Sequence, residues 1–162
     1  MLRALASVVR AEPKLQCRII GEGPERARLH TLARILGLED RVQFLGRRAR
    51  AEVARAMQEC TLFVLPAWYE GLGCVYLEAM SAERAVIACR GQGIEEIIRH
   101  RENGWLVTPH SAQELADGMQ SLLSDSALRE RMGRSARQTV LKDLTLKHQA
   151  ERLLSIYRAC AA

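Results

Sequence analysis

Short runs of apolar residues alternate along this chain with longer stretches in which apolar positions recur every three or four residues. The first such stretch, Met1 to Ala11, sets Leu2, Leu5, Val8 and Val9 on one side of a helix, with Pro13 beyond its end. Leu15 to Ile20 then reads as a strand that stops at Gly21-Glu22-Gly23-Pro24, where proline suits the first turn of a following helix. That helix carries Leu29, Leu32, Ile35 and Leu36 and ends at Gly37, the residue type favoured for a left-handed cap. The same rhythm predicts strands at Val42–Leu45, Leu62–Leu65, Ala85–Cys89 and Trp105–Val107. It also predicts a helix at Ala51–Glu59, one that follows the loop 66–73 and runs through Met80, and a short one around Ile94–Arg99. Three amphipathic helices close the sequence, at Ser111–Ser124, at Ala127 to about Leu141, and at Thr145–Ala161.

Five apolar strands separated by helices, with few alternating polar positions, indicate a parallel sheet covered on both faces. The expected fold class is α/β, a doubly wound, Rossmann-like sheet. With 162 residues, 48% of them hydrophobic, the chain has room for a core of ordinary size. No repeat or Gly/Ser linker divides it, so residues 1–162 are expected to form one domain. No apolar run approaches the roughly 20 residues a membrane helix needs. The opening residues hold too short an apolar stretch, with charges in it, for a secretory signal, and the expected location is cytoplasmic, with the inner face of the membrane as a peripheral alternative.

Composition narrows the chemistry. Five cysteines (Cys17, Cys60, Cys74, Cys89 and Cys160) form an odd set without a CxxC pair, and are expected to be buried free thiols. The four histidines show no HxH or HExxH spacing, so no metal site is argued. The formal charge of +5 comes with arginines interleaved with glutamate, as in Leu128 to Arg137, which fits a solvated helix face. No RNA-binding signature with interleaved aromatics is present, and a nucleic-acid partner is not expected.

Ligands of open α/β sheets collect at the carboxyl ends of the strands, where helix N-termini offer free amides. Three loops qualify. Gly21-Glu22-Gly23-Pro24 has Arg26 in place of the third glycine of GxGxxG, and no acidic residue closes a following strand, so a dinucleotide site is poorly supported. In Arg90-Gly91-Gln92-Gly93, tight turning accounts for both glycines. The segment Pro66-Ala67-Trp68-Tyr69-Glu70-Gly71-Leu72-Gly73-Cys74-Val75-Tyr76-Leu77-Glu78 says more. Gly71 and Gly73 let a ligand approach the backbone, and Glu70 and Glu78 bracket that opening. Amides and a helix dipole suit phosphate, while carboxylates suit sugar hydroxyls. The plainer reading has Glu70 capping the helix, Glu78 on its wet face, and Trp68 and Tyr69 as packing residues.

These residues resemble a known family, the retaining glycosyltransferases of family 4 with the two-domain B-type fold. Glu70 and Glu78 match its E-x7-E motif within EGLGCVYLEAM, and IIGEGP, LGLEDRVQFLG, LFVLP, GQGIEEII, ENGWLV and MGRSAR follow in the family's order across essentially the whole chain. The resemblance implies the C-terminal domain, which binds a nucleotide-activated sugar. It implies that Glu70 contacts hydroxyls of the transferred sugar and stabilises charge, and that Glu78 holds the ribose. Amides of Gly71, Leu72, Gly73, Cys74 and Val75 would face sugar and diphosphate, and Gly46-Arg47 would lie near the base. Transfer in the family is described as metal-independent, with no cofactor, to an acceptor that is a glycan, a lipid or a small molecule.

Three departures accompany the match. Glu83 and Ala85 stand where the family often has glycine and proline, and Arg101 replaces a turn glycine; strain in those turns is the expected result. The strand and loop with which the family's domain opens, and the N-terminal acceptor domain, are both expected to be missing. A doubly wound sheet usually runs 3-2-1-4-5-6, so losing strand 1 leaves either a gap between Leu15–Ile20 and Leu62–Leu65 or a direct pairing that closes it. The closing helices are expected to wrap back toward the absent partner domain. Two other readings stand at this point: a non-catalytic nucleotide-sugar-binding module or truncated fragment, and a nucleotide-sugar epimerase, against which the E-x7-E spacing argues.

Overall fold

The computed structural model describes residues 1–160. In chain order they form α1 (Leu2–Ala11), β1 (Cys17–Ile20), α2 (Arg26–Ile35), β2 (Val42–Gly46), α3 (Arg50–Glu59), β3 (Phe63–Val64), α4 (Cys74–Ser81), β4 (Val86–Cys89), a 3₁₀ turn (Gly93–Glu96), β5 (Trp105–Val107), α5 (Ala112–Ser124), α6 (Ser126–Asp143) and α7 (Leu146–Cys160). Every predicted element is present within a few residues of its expected bounds. The helix expected around Ile94–Arg99 is only the 3₁₀ turn, and the last residue of the predicted closing helix, Ala161, lies outside the described residues. Gly37 adopts φ +67, the left-handed cap expected of it.

All strand pairs are parallel, and β4 is the centre of the larger sheet. Its residues alternate between two cores. Val86 and Ala88 face Tyr76, Ala79 and Met80 of α4 and Ala136 and Val140 of α6. Ile87 and Cys89 face Leu2, Leu5 and Val8 of α1 and Leu115, Met119 and Leu122 of α5. Helices therefore cover both faces, which is why this strand is apolar at every position. Burying a side chain the size of Ile87 contributes about 1.5 to 3 kcal/mol.

The sheet is interrupted. β1 pairs only with β2, and β3 pairs only with β4, giving the order β2-β1, a break, then β3-β4-β5. A cavity of about 650 Å³ occupies the break, walled by β1 and β3 and lined by Met1, Leu5 and Met119 on one face and Val53, Met57 and Val75 on the other. Cys17 and Gly21 turn their amides to the β2 side, and Phe63 and Leu65 turn theirs to the β4 side. By the alternation of a parallel ladder, backbone groups of Arg18, Ile20 and Val64 are directed into the slot. Of the two outcomes expected between these strands, the structure shows the gap.

Strain falls where the sequence departs from the family. Glu83 and Arg101 adopt φ 62 and 67, a left-handed conformation disfavoured by roughly 1 to 2 kcal/mol for residues with a Cβ. The expectation of buried thiols is corrected: all five cysteines are free, but Cys74 and Cys160 are exposed and only Cys89 is fully buried. Cys74 is the first residue of α4, and the two turns behind it, not Cys74 itself, carry the helix's buried residues Tyr76, Ala79 and Met80. No residue of α7 is buried, and Leu146, Leu153, Leu154, Ile156 and Tyr157 stay exposed.

Candidate functional site

The carboxyl ends of β3, β4 and β5 present three loops side by side, and the one after β3 carries Glu70 and leads into α4, which carries Glu78. It is held at several points. Tyr76, wholly buried in α4, donates its hydroxyl proton to the carbonyl of Leu65, tying the helix to the end of β3. Burial, then the nearby Cys89 and Glu70, push the Tyr76 pKa far up, so the phenol keeps the proton that it donates.

Gly73 caps α4 in the left-handed region, φ 67, and a Cβ there would stand 2.7 Å from the Tyr76 ring. Only glycine meets both conditions. Tyr76 donates its amide to the Gly73 carbonyl, which leaves the amides of Cys74 and Val75 at the helix N-terminus without intrahelical acceptors. They form a positively polarised edge suited to an anion.

The second side of the loop rests on β4. Glu70 donates its backbone N–H to the side-chain oxygen of Gln92 at 2.9 Å. A Cβ at Gly93 would lie 1.9 Å from the Gly71 carbonyl oxygen, so the two loops touch through bare backbone. Tight turning explains Gly91, at φ 70, but Gly93 is there for this close approach. Gln92 and Gly93 are thus site-positioning residues whose role the sequence reading missed. Their place in the loop after a strand was the available signal, and the partner they touch is 22 residues away.

Glu70 is half-buried and Glu78 is exposed, one turn into α4. Neither carboxylate takes part in an ion pair or a side-chain hydrogen bond among the described residues, whereas Glu22, Glu25, Glu52 and Glu95 each pair with an arginine. Glu70 does not cap α4; Gly73 occupies the cap position and no side chain bonds there. Trp68 and Tyr69 are not packing residues either, since both are exposed.

Gly46 and Arg47 lie elsewhere. Gly46 ends β2 at φ 69, where a Cβ would collide with the Glu22 carboxylate at 2.6 Å, and its carbonyl accepts the Gly21 amide. Arg47 follows it, exposed. This pair belongs to the two-stranded half, on the far side of the slot from Glu70 to Val75, and no hydrogen bond or ion pair connects the two groups among the described residues. No cluster of three or more metal-ligating side chains occurs among the described residues, and no helix there is long and apolar enough to cross a membrane.

Comparison with known proteins identifies the family and the fold. An alpha-D-kanosaminyltransferase from Streptomyces kanamyceticus is 34% identical over 157 residues, covering 97% of this chain and 41% of the relative. An N-acetyl-alpha-D-glucosaminyl L-malate synthase from Bacillus anthracis is 32% identical, covering 97% and 39%. The chain therefore spans about two fifths of the length of these relatives. Among solved structures, the C-terminal domain of a glycosyl transferase group 1 family protein from Francisella tularensis superposes with a TM-score of 0.83 at 30% identity, covering 90% of this chain and 77% of that one. HepE of Anabaena, solved in complex with UDP-glucose, gives 0.83 at 30% identity over 95% of this chain and 44% of its own. The family described as glycosyl transferases group 1 matches residues 1–139, and the chain, with the Rossmann-like fold of the C-terminal half of a B-type glycosyltransferase, belongs to that family.

Proposed function

We propose that this chain is the donor-binding domain of a retaining glycosyltransferase and takes a nucleotide sugar at the loop after β3. The observation that carries the reading is the pair of unpaired carboxylates, Glu70 and Glu78, flanking an open helix N-terminus at the carboxyl edge of the sheet. Hydroxyls of the transferred sugar donate to Glu70, and ribose hydroxyls donate to Glu78. The amides of Gly71, Leu72, Gly73, Cys74 and Val75 line the sugar and diphosphate, and Gly46 and Arg47 approach the base from the other half of the sheet. That HepE, similar over nearly all of this chain, is solved with UDP-glucose supports a uridine donor as the first to try.

In this reading fixed amides and the dipole of α4 stabilise the leaving diphosphate, Glu70 orients the sugar and offsets charge growing on its ring, and the acceptor attacks on the face the diphosphate leaves. No metal ion and no other cofactor is assigned. The acceptor, a glycan, lipid or small molecule, is held by a second, N-terminal domain, and the 162-residue chain alone binds donor without transferring it.

Calorimetric titration of UDP-glucose into the chain and into Glu78→Ala tests the site. Losing a hydrogen bond to a charged group costs roughly 1.5 to 3 kcal/mol, so the variant binds about tenfold more weakly or worse. Equal affinity in the two proteins would remove Glu78 from the donor site.

A further inference from the structure

Two aromatic side chains beside Glu70 are left outside every core: Trp68 is 60% exposed and Tyr69 is 90% exposed. The chain's other tryptophan, Trp105, is buried. The exposed pair does not stand alone. The loop after β3 reaches across the end of β4, and the Trp68 ring lies 5.1 Å from the ring of His110, centroid to centroid, tilted by 47°. His110 belongs to the loop after β5, two strands away, and keeps a left-handed backbone at φ 63. The Tyr69 ring stands 6.4 Å from Trp68 at 56°. Three rings from two loops thus meet at the ligand edge of the sheet, one of them on a backbone conformation of the kind that concentrates at functional sites.

We propose that Trp68, Tyr69 and His110 form an acceptor subsite that stacks one pyranose ring of a carbohydrate acceptor beside the donor sugar. This rests on the donor reading of Glu70. A pyranose offers an apolar C–H face and a rim of hydroxyls, which matches flat aromatic faces bordered by an indole N–H, a phenol and an imidazole. Because Tyr69 immediately precedes Glu70, a ring held there lies next to the sugar to be transferred. Two or three rings cover the area of one sugar, far short of the roughly 800 Å² per partner that a specific protein interface buries. The acceptor is on this account a saccharide or a glycoside, and the donor half of the enzyme helps select it.

Iodide quenching of tryptophan fluorescence reads the platform directly, since iodide reaches Trp68 and not Trp105. With maltose as the probe and glycerol as a polyol without a ring, maltose protects Trp68 from iodide saturably and glycerol does not. Tyr69→Ala raises the half-saturating maltose concentration about threefold or more, in line with the energy of a stacked aromatic contact. UDP-glucose is titrated separately into the unmodified chain by calorimetry. UDP-glucose binding without maltose protection overturns the platform and leaves the donor site standing. Maltose protection without UDP-glucose binding overturns the donor reading, and with it the acceptor assignment. Protection by phosphatidylcholine vesicles but not by maltose also overturns the proposal, in favour of a membrane surface, and equal protection in Tyr69→Ala does so as well.

Discussion

The two halves of the sheet are built to different standards. β3, β4 and β5 share a central strand buried on both faces and packed by α1 and α5 on one side and α4 and α6 on the other. β1 and β2 pair only with each other, most of their residues are half-exposed, and one edge opens on the slot. The carboxylates, Gln92 and the aromatic rings stand on the tightly packed half, whereas Gly46 and Arg47 stand on the loose one. The difference teaches that the loop carrying Glu70 is held by contacts within its own half, while its spacing from Gly46 and Arg47 is set across the slot.

Truncations of similar size should separate the halves most sharply. Ile87→Ala, in the fully buried centre of β4, is expected to cost about 2 to 5 kcal/mol, while Ile19→Ala, which enlarges a cavity already present, should cost nearer 1 kcal/mol. Urea unfolding of both variants measures this, and equal losses would mean that the halves are equally well packed. Next in size is the slot itself. Fusing an extended apolar strand of about five residues ahead of Met1 should pair the open groups of Arg18, Ile20 and Val64 and raise the melting temperature by roughly 5 °C. An unchanged melting temperature would show that the gap carries no cost.

Smaller effects test how the tight half holds its loop. Gln92→Ala removes the acceptor of the Glu70 amide and should loosen the loop by about 1 kcal/mol, weakening donor binding severalfold while leaving global stability nearly untouched. A large fall in stability with unchanged binding would put Gln92 in the core rather than at the site. The smallest effect is one of pH. Burial, then Arg90 and Arg101, hold the His100 pKa below its ordinary 6.5, and its Nδ1 accepts the Leu106 amide at 3.0 Å, which requires the neutral ring. A folded pKa below the unfolded one means that this stabilisation is full above about 6.5 and is lost as pH falls through the lower folded value. Unfolding free energy should therefore fall between pH 7 and pH 5, and fall less in His100→Gln; parallel curves would clear His100 of the effect.

What the sequence disclosed follows from local physics. Apolar runs and cap residues such as Gly37 mark elements because their causes lie within a few positions of one another, and the EGLGCVYLEAM segment announces its own loop and helix. Even the gap was legible, because strand order in a doubly wound fold ties the middle position to the first strand. Contacts between loops were not. Gln92 meets Glu70, Gly93 meets Gly71 and Trp68 meets His110 only after the strands beneath them align. The same limit hid the exposure of Trp68 and Tyr69, which composition alone assigns to packing. Strain at Glu83 and Arg101 was legible only through the family resemblance, which puts glycine at those turns.

The central claim, that one donor spans both halves of the sheet with its sugar on the tight one, is tested most directly by amide chemical shifts during titration with UDP-glucose. The account predicts saturable shifts at Glu70, Gly71 to Val75 and Glu78, with a second group at Gly46 and Arg47 that UDP alone also moves. Shifts confined to residues away from both loops, or no saturable shift at either, would contradict it.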